Sequence, residues 1–86
     1  IGVPLKHAVK NKRNRRNVTG KTIHRLRMAA HPKITQEDMA GRLARQGVQL
    51  IQSQVAKIEN GERPVLDYEL AAIAKALKVP IQTLFD

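Results

Sequence analysis

The sequence predicts an all-α domain that carries a basic N-terminal arm. Three observations carry that prediction. Beyond residue 20, apolar residues recur at the three- and four-residue spacing of amphipathic helices. Capping residues and helix breakers fall where those stripes begin and end. Hydrophobic residues make up 42% of the chain but aromatics only 2%, so the core must be built from Leu, Ile, Val, Met and Ala. Ala and Leu are strong helix formers. A length of 86 residues suits one domain.

The charge is segregated. Residues 1–21 hold Lys6, Lys10, Lys12, Arg13, Arg15, Arg16 and Lys21 and no carboxylate, for a net +7. Residues 22–86 hold nine cations and seven carboxylates, for a net +2. Residues 1–19 lack apolar periodicity and read as a flexible basic arm, leaving 20–86 as the folded domain. A block of one sign points to an acidic polymer or surface. A merely solvated tail would carry the same composition.

Each helix has its own signals. Ile23, Leu26 and Ala30 form the stripe of the first, which Pro32 stops because the residue before a proline resists the α region. The second starts at the Thr35 cap, with Asp38 placed to reach back to the cap amide. Met39, Ala40 and Leu43 are its buried face, and Gly47 suits the left-handed residue after its end. The short apolar stretch 48–51 reads as an extended link. Residues 52–60 form the third helix, with Val55 and Ile58 inward and Gly61 ending it. A fourth runs over about 67–78, with Leu66, Leu70, Ile73, Ala74 and Leu77 as its stripe. Asp67 at its start and Lys75 and Lys78 near its end match the helix dipole. Pro80 is placed to open a fifth, short helix packed through Ile81, Leu84 and Phe85. Met28 and Met39 read as core fillers, and Tyr68 as a packing residue.

The third helix has an unusual start. Gln52, Ser53 and Gln54 are small or polar, and apolar residues appear only where the core needs them. A helix that enters the ~12 Å major groove of DNA needs such side chains to meet base edges. Gln can bond an adenine edge through both amide atoms, and Lys can bond guanine. Residues 52, 53, 56 and 57 share the face opposite Val55 and Ile58. An ordinary amphipathic surface helix would show the same periodicity.

A resemblance favours the first reading. Ile34-Thr35-Gln36-Glu37-Asp38-Met39-Ala40, then Val55-Ala56-Lys57-Ile58-Glu59-Asn60-Gly61, then Leu70-Ala71-Ala72-Ile73-Ala74-Lys75-Ala76-Leu77-Lys78-Val79 and Leu84-Phe85, resemble the XRE family of phage-repressor-like helix-turn-helix domains. The likeness covers residues 18–85, about four-fifths of the chain. It implies a five-helix repressor-like fold. It implies base contacts from Gln52, Ser53 and Lys57. It implies phosphate contacts from Gln36, Gln54, Asn60 and Arg63, and a buried ion pair between Arg27 and Glu59. The link 45–51 is longer than the family's usual tight turn, and Ile51 stands where a Ser, Thr or Asp cap is usual. Either Ser53 caps this helix instead or its start is uncapped.

In the arm, Lys12, Arg13, Arg15 and Arg16 are the expected phosphate contacts, since such residues release counterions from DNA. Arg13, Arg15 and Arg16 are also the candidates for entry into the adjacent minor groove. No enzyme is expected. His7, His24 and His31 show no metal-ligand spacing, no phosphate loop or nucleophile elbow appears, and Ser53 has no histidine neighbour to act as its base. No cofactor is implied. The chain has no cysteine, no apolar run near the ~20 residues of a membrane span and no signal-peptide core at its start. The expected place is the cytoplasm, on the nucleoid. The resulting expectation is a sequence-specific, double-stranded DNA-binding transcriptional regulator of the repressor kind, acting as a homodimer. Two alternatives remain: an RNA- or ribosome-associated basic protein, and a protein-interaction adaptor or antitoxin on the same fold, which would add a protein partner.

Overall fold

A computed structural model describes residues 18–85. The described residues form four α-helices: α1 (Gly20–Ala29), α2 (Gln36–Arg45), α3 (Gln52–Glu59) and α4 (Asp67–Leu77), followed by a 3-10 helix at Ile81–Phe85. No strand occurs among them. The arm lies outside the described residues, apart from Val18 and Thr19.

The core follows the apolar stripes. Ile23 of α1, Met39 and Leu43 of α2, Val55 and Ile58 of α3, Leu70 and Ile73 of α4, and Leu84 all close on one another. Helix α3 packs on both α1 and α2, α4 packs on α2, and the 3-10 helix closes over α4 and α1. Arg42 of α2 and Gln46, its C-cap, tie that helix to α4. Arg42 Nη1 donates to the Ala76 carbonyl at 3.1 Å, and Gln46 Nε2 donates to the Ala72 carbonyl at 3.0 Å.

The helix ends show why the sequence folds here. Thr35 Oγ1 accepts from the Asp38 amide at 2.9 Å, and Asp38 Oδ2 accepts from the Thr35 amide at 3.2 Å, a full capping box. Gly47 takes φ +82°, the Val48 amide donates to the Leu43 carbonyl, and Val48 is buried beside it. This is a Schellman closure, which needs the left-handed conformation that glycine adopts without penalty. Helix α3 ends the same way, with Gly61 at φ +76° and the Glu62 amide on the Lys57 carbonyl. Helix α4 repeats the motif with Lys78 in the glycine's place, at φ 61°. It therefore stops at Leu77, one residue before the expected end.

Several expectations need correction. The fifth helical segment is a single 3-10 helix, not an α-helix, and it begins after Pro80, whose carbonyl accepts from the Thr83 amide. So short a segment buries one side only. Leu84 takes that side, while Phe85 is 58% exposed and Ile81 lies at the rim. Leu66 is not part of the α4 stripe but sits outside the helix as its N-cap, half in solvent. Tyr68, expected to pack, is 62% exposed on the first turn. Met28 faces solvent at 38%, because Arg27 rather than Met28 holds the inward position on α1.

Candidate nucleic-acid interface

Helix α3 is held from behind by three inward side chains, Val55, Ile58 and Glu59. The last of these is a carboxylate on the apolar face. Burying a charge is costly unless it is paired and hydrogen-bonded. Glu59 is 5% exposed and Arg27 6%. Arg27 grips it with a two-bond fork, Nε to Oε2 at 2.7 Å and Nη2 to Oε1 at 2.8 Å. The remaining Arg27 nitrogen, Nη1, donates to the Ile34 carbonyl at 2.8 Å. The guanidinium thus joins α1, the α1–α2 link and α3.

Two more side chains approach the same carboxylate. His24 Nδ1 lies 3.0 Å from Oε1, and Gln36 Nε2 donates to Oε1 at 3.1 Å. Burial pushes the Glu59 carboxyl up, but the bonds from Arg27, His24 and Gln36 outweigh it and hold the group below the ordinary carboxylate range. The bond to Glu59 correspondingly raises Arg27, against the effect of burial. No buried side-chain polar atom among the described residues lacks a partner.

This carboxylate also sets a direction. A carboxylate only accepts, so the Gln36 amide must turn its nitrogen to Glu59 and its oxygen outward. That oxygen accepts from Gln52 Nε2 at 2.7 Å. Gln36 is the first residue of α2 and Gln52 the first of α3, so the relay links the starts of both helices. With one Nε2 hydrogen spent on Gln36, Gln52 keeps one N–H donor and its Oε1 acceptor. Ser53 and Lys57 are exposed on the same helix, and Ala56 between them is half-buried.

The other expected contacts fall in different places. Ser53 does not cap α3. Instead, Gln54 Oε1 reaches back to the Ile51 amide at 3.0 Å, which commits the Gln54 side chain to the helix start. Asn60 is exposed as the C-cap of α3. Arg63 turns its guanidinium onto Glu69, Nη1 to Oε1 at 3.0 Å and Nη2 to Oε2 at 3.1 Å, and also donates to the Pro64 carbonyl. Glu69 accepts the Leu66 amide as well, so one buried carboxylate caps α4 and clasps the α3–α4 loop. The Arg63 bond, against burial, lowers Glu69 from its ordinary value. Lys12, Arg13, Arg15 and Arg16 lie outside the described residues.

Sequence reasoning missed the Arg63–Glu69 clasp, the Gln36–Gln52 relay and His24. Glu69 had a signal: it lies on the apolar face of α4 beside Leu70 and Ile73, and a carboxylate there demands a partner. His24, three residues before Arg27 on one helix, had a weaker one.

Comparison with known protein families, characterised proteins and solved structures finds no match to this chain.

Proposed function

We propose that this chain is a sequence-specific reader of double-stranded DNA, a transcriptional regulator that places α3 in the major groove with α2 and α3 as a helix-turn-helix pair. The observation that carries the reading is the Gln52 amide. Held by Gln36, it retains one donor and one acceptor side by side, which is the complement of the N7 acceptor and N6 donor of adenine. Lys57 and Ser53, exposed one turn along and beside it, add further base contacts. Gln36, at the start of α2, serves one phosphate wall, since helix N-termini favour anions. Asn60 serves the other. The cations of the arm neutralise further phosphates without adding much sequence preference. Arg63, forked to Glu69, acts by fixing the α3–α4 loop. The protein binds and carries out no catalysis. It represses by occupancy, as a homodimer on a palindromic site whose half-sites lie about one helical turn apart.

The test is selection from a random duplex pool with the full chain at about 150 mM salt, where arm-driven binding is weakened. Recovery of a palindrome whose adenine preference disappears in Gln52→Ala supports the reading. Binding that only fades with salt and selects no motif refutes it and favours an RNA-binding or adaptor role.

A further inference from the structure

The Ile51 side chain adds little to the fold. Residue 51 is the N-cap of α3, and it is 66% exposed. The link before it alternates as extended backbone does, with Val48 and Leu50 buried and Gln49 and Ile51 facing solvent. Nor does the side chain serve the helix start. At the start of α2, Thr35 supplies a capping oxygen. Isoleucine has none and is disfavoured at an N-cap. Gln54 compensates from inside the helix, its Oε1 accepting from the Ile51 amide at 3.0 Å. The Ile51 carbonyl accepts from the Gln54 and Val55 amides at 3.0 and 3.1 Å, so the backbone of this residue is held on both sides. Branching at Cβ restricts χ1 as well. A fixed apolar side chain therefore stands beside Gln52 and Ser53, which are polar and exposed.

We propose that Ile51 is a specificity-determining residue that packs on the C5-methyl group of a thymine, in the base pair that Gln52 reads or the next one. The proposal rests on the DNA-binding reading above. Single exposed apolar side chains are ordinary on protein surfaces. This one is set apart by its place, because the N-terminal residues of a groove-entering helix are the ones that meet base edges. Whatever brings Gln52 to an adenine brings Ile51 with it. Consecutive Cα atoms lie about 3.8 Å apart and stacked base pairs about 3.4 Å apart, so residues 51 and 52 reach the same pair or neighbouring ones. On the major-groove edges of the four bases, the thymine methyl is the one apolar group. Contact with it removes two apolar surfaces from water at once. Cytosine at the same place would set its N4 donor against a side chain that cannot accept, leaving a polar group desolvated without a partner. Gln52 thus reads by hydrogen bonds and Ile51 by shape, and the helix start forgoes a capping side chain for the second contact.

The experiment uses the full chain and the duplex recovered by the selection above, at about 150 mM salt. Each thymine of one half-site is replaced in turn by deoxyuracil, which keeps every hydrogen-bonding group of the edge and lacks only the methyl. The adenine read by Gln52 is located by its loss in Gln52→Ala. At one thymine in that pair or the next, the replacement should weaken wild-type binding about fourfold, the change that follows from exposing one methylene-sized group. Ile51→Ser should bind the two duplexes within about 1.5-fold of each other, and Ile51→Val, which keeps a branched apolar group, should retain most of the wild-type ratio. Serine also supplies the missing cap, so this variant should melt no lower than the wild type. The slope of log K against log salt should stay the same throughout, because no charge changes. A wild-type ratio near one at every thymine overturns the proposal, whatever the variants do. An equal ratio in wild type and Ile51→Ser overturns it too, since another residue then reads the methyl. Either result leaves base reading by α3 intact, whereas a selection that recovers no motif refutes both.

Discussion

Arg27→Met should cost this domain a large share of its stability. The substitution keeps an apolar stem on α1 and removes the guanidinium from a carboxylate that is 5% exposed. Glu59 then loses the two short bonds from Arg27 and keeps only those from His24 and Gln36. Removing one partner of a buried pair costs about 3–5 kcal/mol, because the other charge is stranded. The two remaining donors place the expected loss near the lower bound, about 3 kcal/mol. Small domains are stable by only about 5–15 kcal/mol, so the loss is large enough to move a denaturation midpoint plainly.

Removing both charges separates the stranded ion from the lost side chain. Arg27→Met with Glu59→Leu leaves no stranded ion, and such double replacements are often neutral or stabilising. His24 is half-exposed and Gln36 partly so, and both can turn to water. Urea unfolding of the wild type, the single variant and the double variant supplies the three free energies. The double variant should recover most of the loss. An Arg27→Met loss below about 1 kcal/mol, or a double variant as unstable as the single one, refutes the account of a desolvated pair.

Other perturbations follow from the same geometry. Gly20→Ala should unfold or strongly loosen the domain, because the new methyl meets backbone oxygens of α3 that cannot rotate away; thermal melts followed by circular dichroism check this. Gly41 and Gly47 both have open space around the added Cβ, so their alanine variants isolate backbone effects. Gly41→Ala, inside α2, should stabilise by about 0.5–1 kcal/mol, and Gly47→Ala, at φ +82°, should destabilise by about 1 kcal/mol. Glu59 and Glu69 titrate lower in the folded chain than in the unfolded one, so their contribution is full above the unfolded value, near pH 4.3, and is lost as pH falls through the folded ones. A stability profile should therefore drop on acidification below about pH 4.3, and Glu69→Gln should flatten part of that drop.

The helices were legible because their signals are local. Ile23, Met39, Leu43, Ile58 and Ile73 lie at helical spacing, and Thr35, Gly47 and Gly61 mark ends by backbone chemistry that one residue decides. The chain end was not legible. Ile81, Leu84 and Phe85 are all apolar, and only the 3-10 geometry selects Leu84 as the one turned inward. Tyr68 and Met28 failed for a related reason, since composition does not say which of two adjacent residues wins the buried position. In the candidate site, the residue types at 52, 53 and 57 were visible, but their partners were not. A hydrogen bond between residues 36 and 52 depends on how two helices meet, and the spacing within either helix carries no record of it.

That dependence explains why a polar network sits where an apolar one would be cheaper. Hydrophobic contacts at Val55 and Ile58 fix how deeply α3 is buried, but they are non-directional and tolerate small rotations about the helix axis. The Glu59 carboxylate is directional. It fixes that rotation through Arg27 on α1 and through Gln36 on α2, and it passes an amide polarity outward to Gln52. Breaking the pair in favour of apolar side chains can leave the fold as stable and still free the Gln52 amide to flip. On the proposed DNA-reading function, stability and base discrimination should thus part company in Arg27→Met with Glu59→Leu: the double variant melts near the wild type while the proposed adenine preference falls. A double variant that keeps both would show that Gln36 alone orients Gln52, with Glu59 serving only the fold.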